Sequence, residues 1–368
     1  MFKGRRVIDI HGHLSSPPAV RAFAFNLTAF RNPGDRLTLS DEDVRPAMER
    51  HLRMLDARNI DVQLLSARPV AMLHWEHPRI VASWTRTTND LIAQQCRLRP
   101  DRFAGVAQLP QSVEEDTRNC LAELERCIHD LGFVAATVNP DPGADRQAPG
   151  MDASYWHPLY AKAQELDATL IVHPSLTHDR RLAPVPSAYQ YNNLTEETLA
   201  TLLLENSDVF ERFPRLRIVI CHCGGALRRM LNEGEPLDAV AHARGVDNLV
   251  RASGEMAGGQ VGMPVQSQKQ VRRDLAANLA FDTCAYDPYF LAAAIRQRGV
   301  RRMLFGTEVP GSGSGLRNPE TGRPADDVLA TLESFDFLTE GDLLDITHAN
   351  PRRMFPLLER RVTDLHER

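Results

Sequence analysis

The stretch Asp9-Ile10-His11-Gly12-His13 places two imidazoles two residues apart at the end of an apolar, β-branched run. On an extended chain, residues i and i+2 project to the same face, so both rings can meet one ion, and Gly12 removes side-chain bulk between them. The same residue types recur behind other apolar runs. Leu170-Ile171-Val172 is followed by His173, Ile218-Val219-Ile220-Cys221 by His222, and Leu304-Phe305-Gly306-Thr307 by Glu308. Any one of these reads equally well as a strand-end residue satisfied by hydrogen bonds. Four together point to a metal site. Imidazole and carboxylate without thiolate suit Zn2+ or a neighbouring ion such as Mn2+. A cation so held acidifies the water bound to it, and an adjacent carboxylate or imidazole can accept the proton.

Other reactive groups fit less well. Cys221 and Cys223 flank His222 but would face away from it on a strand, which makes them packed thiols. Cys284 has no base partner in the sequence. Of the 43 basic residues only Lys3, Lys162 and Lys269 are lysines, and none ends an apolar strand. Imine chemistry is therefore not expected.

Positioning four strand-end residues requires strands that end on one face. Short apolar runs at 7–11, 61–67, 103–109, 133–139, 169–173, 217–222, 279–283 and 302–306 alternate with helical patterns at 42–58, 82–99, 114–131, 155–167, 195–212, 288–298 and 326–337. Eight strand–helix units predict an α/β fold, a (β/α)8 TIM barrel, as a single domain over 1–368. The surplus length falls at 14–41, 140–153 and 223–278, as insertions after strands 1, 4 and 6. These follow the strand ends that carry barrel active sites. A doubly wound sheet is the rival, but no glycine-rich phosphate turn or Walker A motif is present.

The 368 residues carry a net charge of −5, with 43% hydrophobic and 25% charged residues. That balance is globular and lacks the basic excess of a nucleic-acid binder. No apolar run approaches the roughly 20 residues of a membrane span, and no secretory signal is evident. Six cysteines in such a chain fit a reducing compartment, and a cytoplasmic protein is expected.

Taken together, DIHGH, VHPS, HCGGA and the C-terminal HANPRRMFP resemble the amidohydrolase superfamily over nearly the whole chain. The branch is the one containing aminocarboxymuconate-semialdehyde decarboxylase, γ-resorcylate-type decarboxylases and 4-oxalomesaconate hydratase. Most members of the branch have Asp after strand eight, whereas this chain has Glu308, as the hydratases do. The resemblance implies that His11, His13 and His173 bind the metal, that Glu308 is a fourth ligand or a base, and that His222 is an acid/base. It also implies a homodimer or higher oligomer. The hydratase's loop tyrosine falls among Tyr189, Tyr191 and Asn193, with Tyr191 carried as a substrate-binding candidate beside Asn139.

Two reactions follow from this chemistry. In the first, water adds to the double bond of an unsaturated oxo-polycarboxylate, whose carboxylates call for arginine forks. Arg317, in the loop after Glu308, and Arg146, after strand four, are the candidates. In the second, a hydroxylated aromatic acid or semialdehyde loses CO2, with Phe23, Phe25 and Phe30 walling an aromatic pocket. Hydrolysis by the same activated water is a further variant.

Overall fold

The structure, a computed structural model, describes residues 1–227, 274–319 and 321–359. Its contacts divide the chain into two units, Met1–Ala226 with Leu275–Arg368, and Leu227–Asp274. Most of the insertion expected over 223–278 lies outside the described residues.

Within the first unit, eight strands pair in sequence order, all parallel. They are β1 (Ile8–His13), β2 (Val62–Ser66), β3 (Phe103–Gln108), β4 (Ala135–Val138), β5 (Thr169–Val172), β6 (Ile218–Ile220), β7 (Leu279–Asp282) and β8 (Met303–Leu304). The chain after β8 returns to β1. Ile10 N donates to Phe305 O (2.9 Å), Glu308 N to His11 O (2.6 Å), and Gly12 bridges Val309. This is the expected TIM barrel.

Its helices are α1 (Pro18–Phe30), α2 (Asp41–Asp56), α3 (Pro78–Leu98), α4 (Leu121–His129), α5 (His157–Glu165), α6 (Ala188–Glu205), α7 (Val209–Arg212) and α8 (Pro288–Arg298), followed by short C-terminal turns. Local chemistry explains their starts. Ser40 accepts from Asp43 N while the Asp43 carboxylate accepts from Ser40 N, a capping box, and three acidic residues fill the first turn of α2. That helix buries Val44, Met48, His51, Leu52 and Leu55, one stripe at helical spacing. The 14–41 stretch, expected as an insertion, contains α1. Its Phe23 stacks on Trp84 at 6.3 Å, whereas Phe25 and Phe30 are exposed.

One hydrophobic cluster contains Ile8, Ile10, Leu64, Ala104, Ala135, Ile171, Val219, Ala280 and Leu304, side chains from all eight strands. Only the barrel interior lets eight strands share a cluster, so Ile8 and Ile10 point inward. His11 has the opposite parity and on a regular strand would point out. The pairing of β1 with β2 resolves this. Asp9 faces Gln63 but Gly12 faces Leu65, so β1 carries one extra residue in between. The bulge reverses the alternation and turns His11 and His13 inward, above Ile10. Asp9, left on the helix side, accepts from His11 N (3.0 Å), Thr307 N (3.1 Å), Thr307 Oγ1 (2.6 Å) and Gln63 Nε2 (2.7 Å), which ties the bulge to β2 and to the loop after β8. Burial nevertheless raises its pKa to about 6.

Candidate metal centre

Four side chains converge at the C-terminal ends of the strands. One ligand atom each from His11, His13, His173 and Glu308 lies within 4.8 Å of the others, and all four residues are buried. The imidazoles pack edge to face, with ring centroids 5.0 Å apart for His11–His13 and His11–His173 and 5.5 Å for His13–His173.

Each ring is held by its Nδ1. His11 Nδ1 donates to Asp282 Oδ2 (2.6 Å), His13 Nδ1 to Ser66 Oγ (2.9 Å), and His173 Nδ1 to Pro174 O (2.7 Å). The other nitrogen, Nε2, is in each case buried and without a hydrogen-bond partner. A buried, unpartnered imidazole nitrogen is costly unless something accepts its lone pair. Three of them on one point, with a carboxylate, fit a divalent cation, and Nδ1 anchoring is how metal-binding histidines are oriented. Burial pushes His13 down to about 4, and burial together with its charged neighbours pushes His173 well below its ordinary range. Both rings therefore present lone pairs at neutral pH.

Glu308 sits at φ 64°, a left-handed conformation that its N–H bond to His11 O helps to hold. Its Oε2 accepts from Tyr286 Oη (2.8 Å) and Ser312 Oγ (3.1 Å), and its Oε1 stands 3.8 Å from His13 Nε2. Burial alone would raise this carboxyl, yet the neighbouring His13, His222 and His11 hold it well below the ordinary range.

His222 completes the cluster, its ring 5.0 Å from His173 and 5.3 Å from His11. β6 ends at Ile220, short of the expected 217–222, because His222 (φ 47°) and Cys223 (φ 61°) both turn left-handed. That kink swings the ring inward, where Nδ1 meets Glu197 Oε1 of α6 at 2.6 Å and Nε2 is left buried without a partner. Burial opposes a charge on this ring, but Glu197 outweighs it and raises His222 to about 10. Cys221, Cys223 and Cys284 are buried, and burial pushes their thiols well above the ordinary range, as expected of packed thiols.

The candidate substrate contacts stand apart from this cluster. Arg317 is exposed and donates to Gly322 O of its own loop (2.8 Å). Arg146 pairs with Asp179 (3.2 Å) and Glu196 (3.8 Å). Tyr191 is exposed on α6. Asn139 is buried in a network in which its amide donates to His74 Nδ1 (3.3 Å) and its N–H to Gln111 Oε1 (2.8 Å). Of the three positions left open, Asn193 lines a cavity of about 170 Å³ that also reaches His222 and Tyr286.

Besides Tyr286 and Ser312, which hold Glu308, four more residues at or beside the site went unremarked in the sequence. Asp282 and Ser66 end β7 and β2, so the strand-end criterion applied to His173 and His222 would have found them. Arg68, just past β2, carries a charge that acts on His13 and Glu308. Glu197 gave no signal, being 25 residues from its partner and on a helix.

The amidohydrolase family model matches residues 8–357. The chain is 30% identical to the 2-keto-4-carboxy-3-hexenedioate hydratase of Sphingobium sp. (strain NBRC 103272 / SYK-6), over 97% of this chain and 98% of that protein. It is 31% identical to the γ-resorcylate decarboxylase of Rhizobium sp. (strain MTP-10005), over 54% of this chain and 62% of that protein. Among solved structures it is similar to the 4-oxalomesaconate hydratase of Rhodopseudomonas palustris, with a TM-score of 0.75 and 28% identity over 98% of this chain and 99% of that one.

Proposed function

Since the chain belongs to the amidohydrolase family, we propose that it is a metal-dependent lyase that adds water to the activated double bond of an unsaturated oxo-polycarboxylate. The observation that carries this reading is a pair of proton-handling groups in opposite states. Hydration needs a base for water and an acid for the adjacent carbon, whereas loss of CO2 needs only the acid. In this reading Glu308, whose Oε2 is held by Tyr286, is the base, and His222, backed by Glu197, is the acid. The full-length similarity to a hydratase supports the same choice.

His11, His13, His173 and Glu308 would hold a divalent cation, which would supply Lewis-acid polarisation and acidify water. Glu308 accepts a proton from the attacking water, with Tyr286 and Ser312 fixing its other oxygen. His222 Nε2–H gives a proton to the neighbouring carbon, and Glu197 stabilises the imidazolium until transfer. The C=C π bond, one O–H bond of water and the His222 Nε2–H bond break, while one C–O bond, one C–H bond and the Glu308 O–H bond form; return of the proton from Glu308 to His222 closes the cycle. Arg68 receives a substrate carboxylate, and Asn193 a second polar group from the cavity beside His222.

In this proposal the ion is Zn2+ or Mn2+, and the protein works in the cytoplasm as a homo-oligomer on a small carboxylated molecule. Among the described residues no helix is long and apolar enough to cross a membrane. The test is to incubate metal-loaded protein with 4-oxalomesaconate and, separately, with dihydroxybenzoates, following absorbance and CO2. Loss of the enone absorbance without CO2 is expected. CO2 release without water addition would replace the hydratase by a decarboxylase.

A further inference from the structure

Just beyond Glu308 the chain leaving β8 turns back on itself at Gly311-Ser312-Gly313-Ser314-Gly315. The turn closes on the Glu308 carboxylate from two sides. Ser312 Oγ donates to Glu308 Oε2, and Gly311 lies against the same side chain, where a β-carbon would stand 2.2 Å from Glu308 O and 2.8 Å from Glu308 Cγ. Gly313 lies against the phenol that supplies the other donor. A β-carbon on it would stand 2.5 Å from Tyr286 Cζ, 2.7 Å from Tyr286 Cε1 and 2.9 Å from Asp326 Cβ. A close-packed interior has no room for an atom at such distances, so both positions need glycine for space.

The turn is itself anchored from elsewhere in the barrel. Ser314 N donates to Gly311 O (3.2 Å) and Gly311 N to Ser314 Oγ (3.3 Å), while Ser314 Oγ donates to Asp326 Oδ2. Asp326 is fully buried, and its Oδ1 accepts from Arg58 Nε (2.7 Å) and Nη2 (2.6 Å). With partners on both oxygens, that carboxylate is a fixed post for the turn. Contacts therefore run without a break from Arg58 through Asp326 and Ser314 to Gly313, and from Gly313 to Tyr286 and Glu308.

The consequence falls on the two oxygens of Glu308. Both hydroxyl groups, from Tyr286 (2.8 Å) and Ser312 (3.1 Å), donate to Oε2, which occupies its lone pairs. Oε1 takes neither donor and is the oxygen that stands 3.8 Å from His13 Nε2.

We propose that Gly313 and Ser314 are positioning residues for Glu308: the anchored turn presses Tyr286 against Oε2, so that the carboxylate offers the metal centre one oxygen, Oε1. The inference rests on the metal-dependent reading above and refines it, because it decides which oxygen is free to act.

The experiment strips the full-length protein by chelation and reloads it with Co2+, whose visible absorption reports the number and arrangement of its ligands without any substrate. Gly313→Ala must displace the Tyr286 ring, and Tyr286→Phe removes its hydroxyl. Either change frees Oε2 to join the ion and raise its coordination number. Both variants are expected to lower the Co2+ absorption to the same extent, and the double variant Gly313→Ala/Tyr286→Phe should lower it no further. Ser314→Ala should give a smaller change in the same direction, reversed in Ser314→Thr. With substrate, kcat should fall by about tenfold or more in Gly313→Ala while KM stays unchanged. Circular dichroism and Co2+ content identify the folded variants, and Ser314→Ala decides the matter if Gly313→Ala does not fold. A wild-type spectrum in either folded variant, or additive changes in the double variant, overturns the proposal. Altered spectra in a protein that does not hydrate its substrate leave the positioning intact and sink the hydratase reading. A wild-type protein that binds no Co2+ overturns the metal centre and this proposal together.

Discussion

At the scale of single residues, Glu308 and the His222–Glu197 pair carry opposite demands. On the proposed mechanism Glu308 accepts a proton, and its two hydroxyl donors, Tyr286 and Ser312, would serve an amide oxygen equally well. Glu308→Gln therefore preserves the local packing while removing the base. A fall in kcat of about 10²–10⁴-fold is expected. Elemental analysis of the same sample separates loss of the base from loss of the ion. Glu197 acts through His222. A pKa raised by a partner keeps the imidazolium present at low pH and loses it as pH rises through the folded value. Removing that partner in Glu197→Gln moves the loss to lower pH. The basic limb of the kcat/KM profile should accordingly shift down, and an unmoved limb would detach His222 from the protonation step.

At the scale of elements, β1 and its bulge decide the site. The β-carbon that Gly12 lacks would stand 2.0 Å from Gln63 Cδ, and the Gln63 amide bonds Asp9 and Val309 across the bulge. Gly12→Ala must displace that amide, at about 1–3 kcal/mol for forced overpacking. Denaturant titration should show the loss, with weaker metal retention because the same strand aims His11 and His13. The end of β7 acts on the centre from one step away. Asp282 holds His11 Nδ1 and also accepts from Cys284 N (3.0 Å). Asp282→Asn should weaken metal binding by about 10–100-fold in a chelator competition. Unchanged affinity would show that His11 keeps its orientation without the carboxylate.

At the scale of the whole barrel, long-range pairs join segments far apart in sequence. Arg58, beyond the end of α2, meets Asp326 at 2.6 Å, with side chains 6% and 0% exposed. Arg58→Ala leaves a buried carboxylate unpaired, and a destabilisation of about 3–5 kcal/mol is expected by equilibrium unfolding. The sequence alone determined the strand count, the barrel and the residues that meet at the candidate metal centre, because short continuous apolar runs and strand-end histidines are local signals. It also marked Glu308 as a departure from the usual aspartate. Tertiary structure decided what local spacing cannot carry. An inserted residue in β1 turned His11 and His13 inward, since strand parity is set by the register with β2. Glu197 met His222 across 25 residues, and Arg68 came close enough for its charge to act on His13 and Glu308 while Arg317 stayed in its own loop. Which of many arginines face a site depends on how helices and loops pack over the barrel, and residue type does not encode that placement.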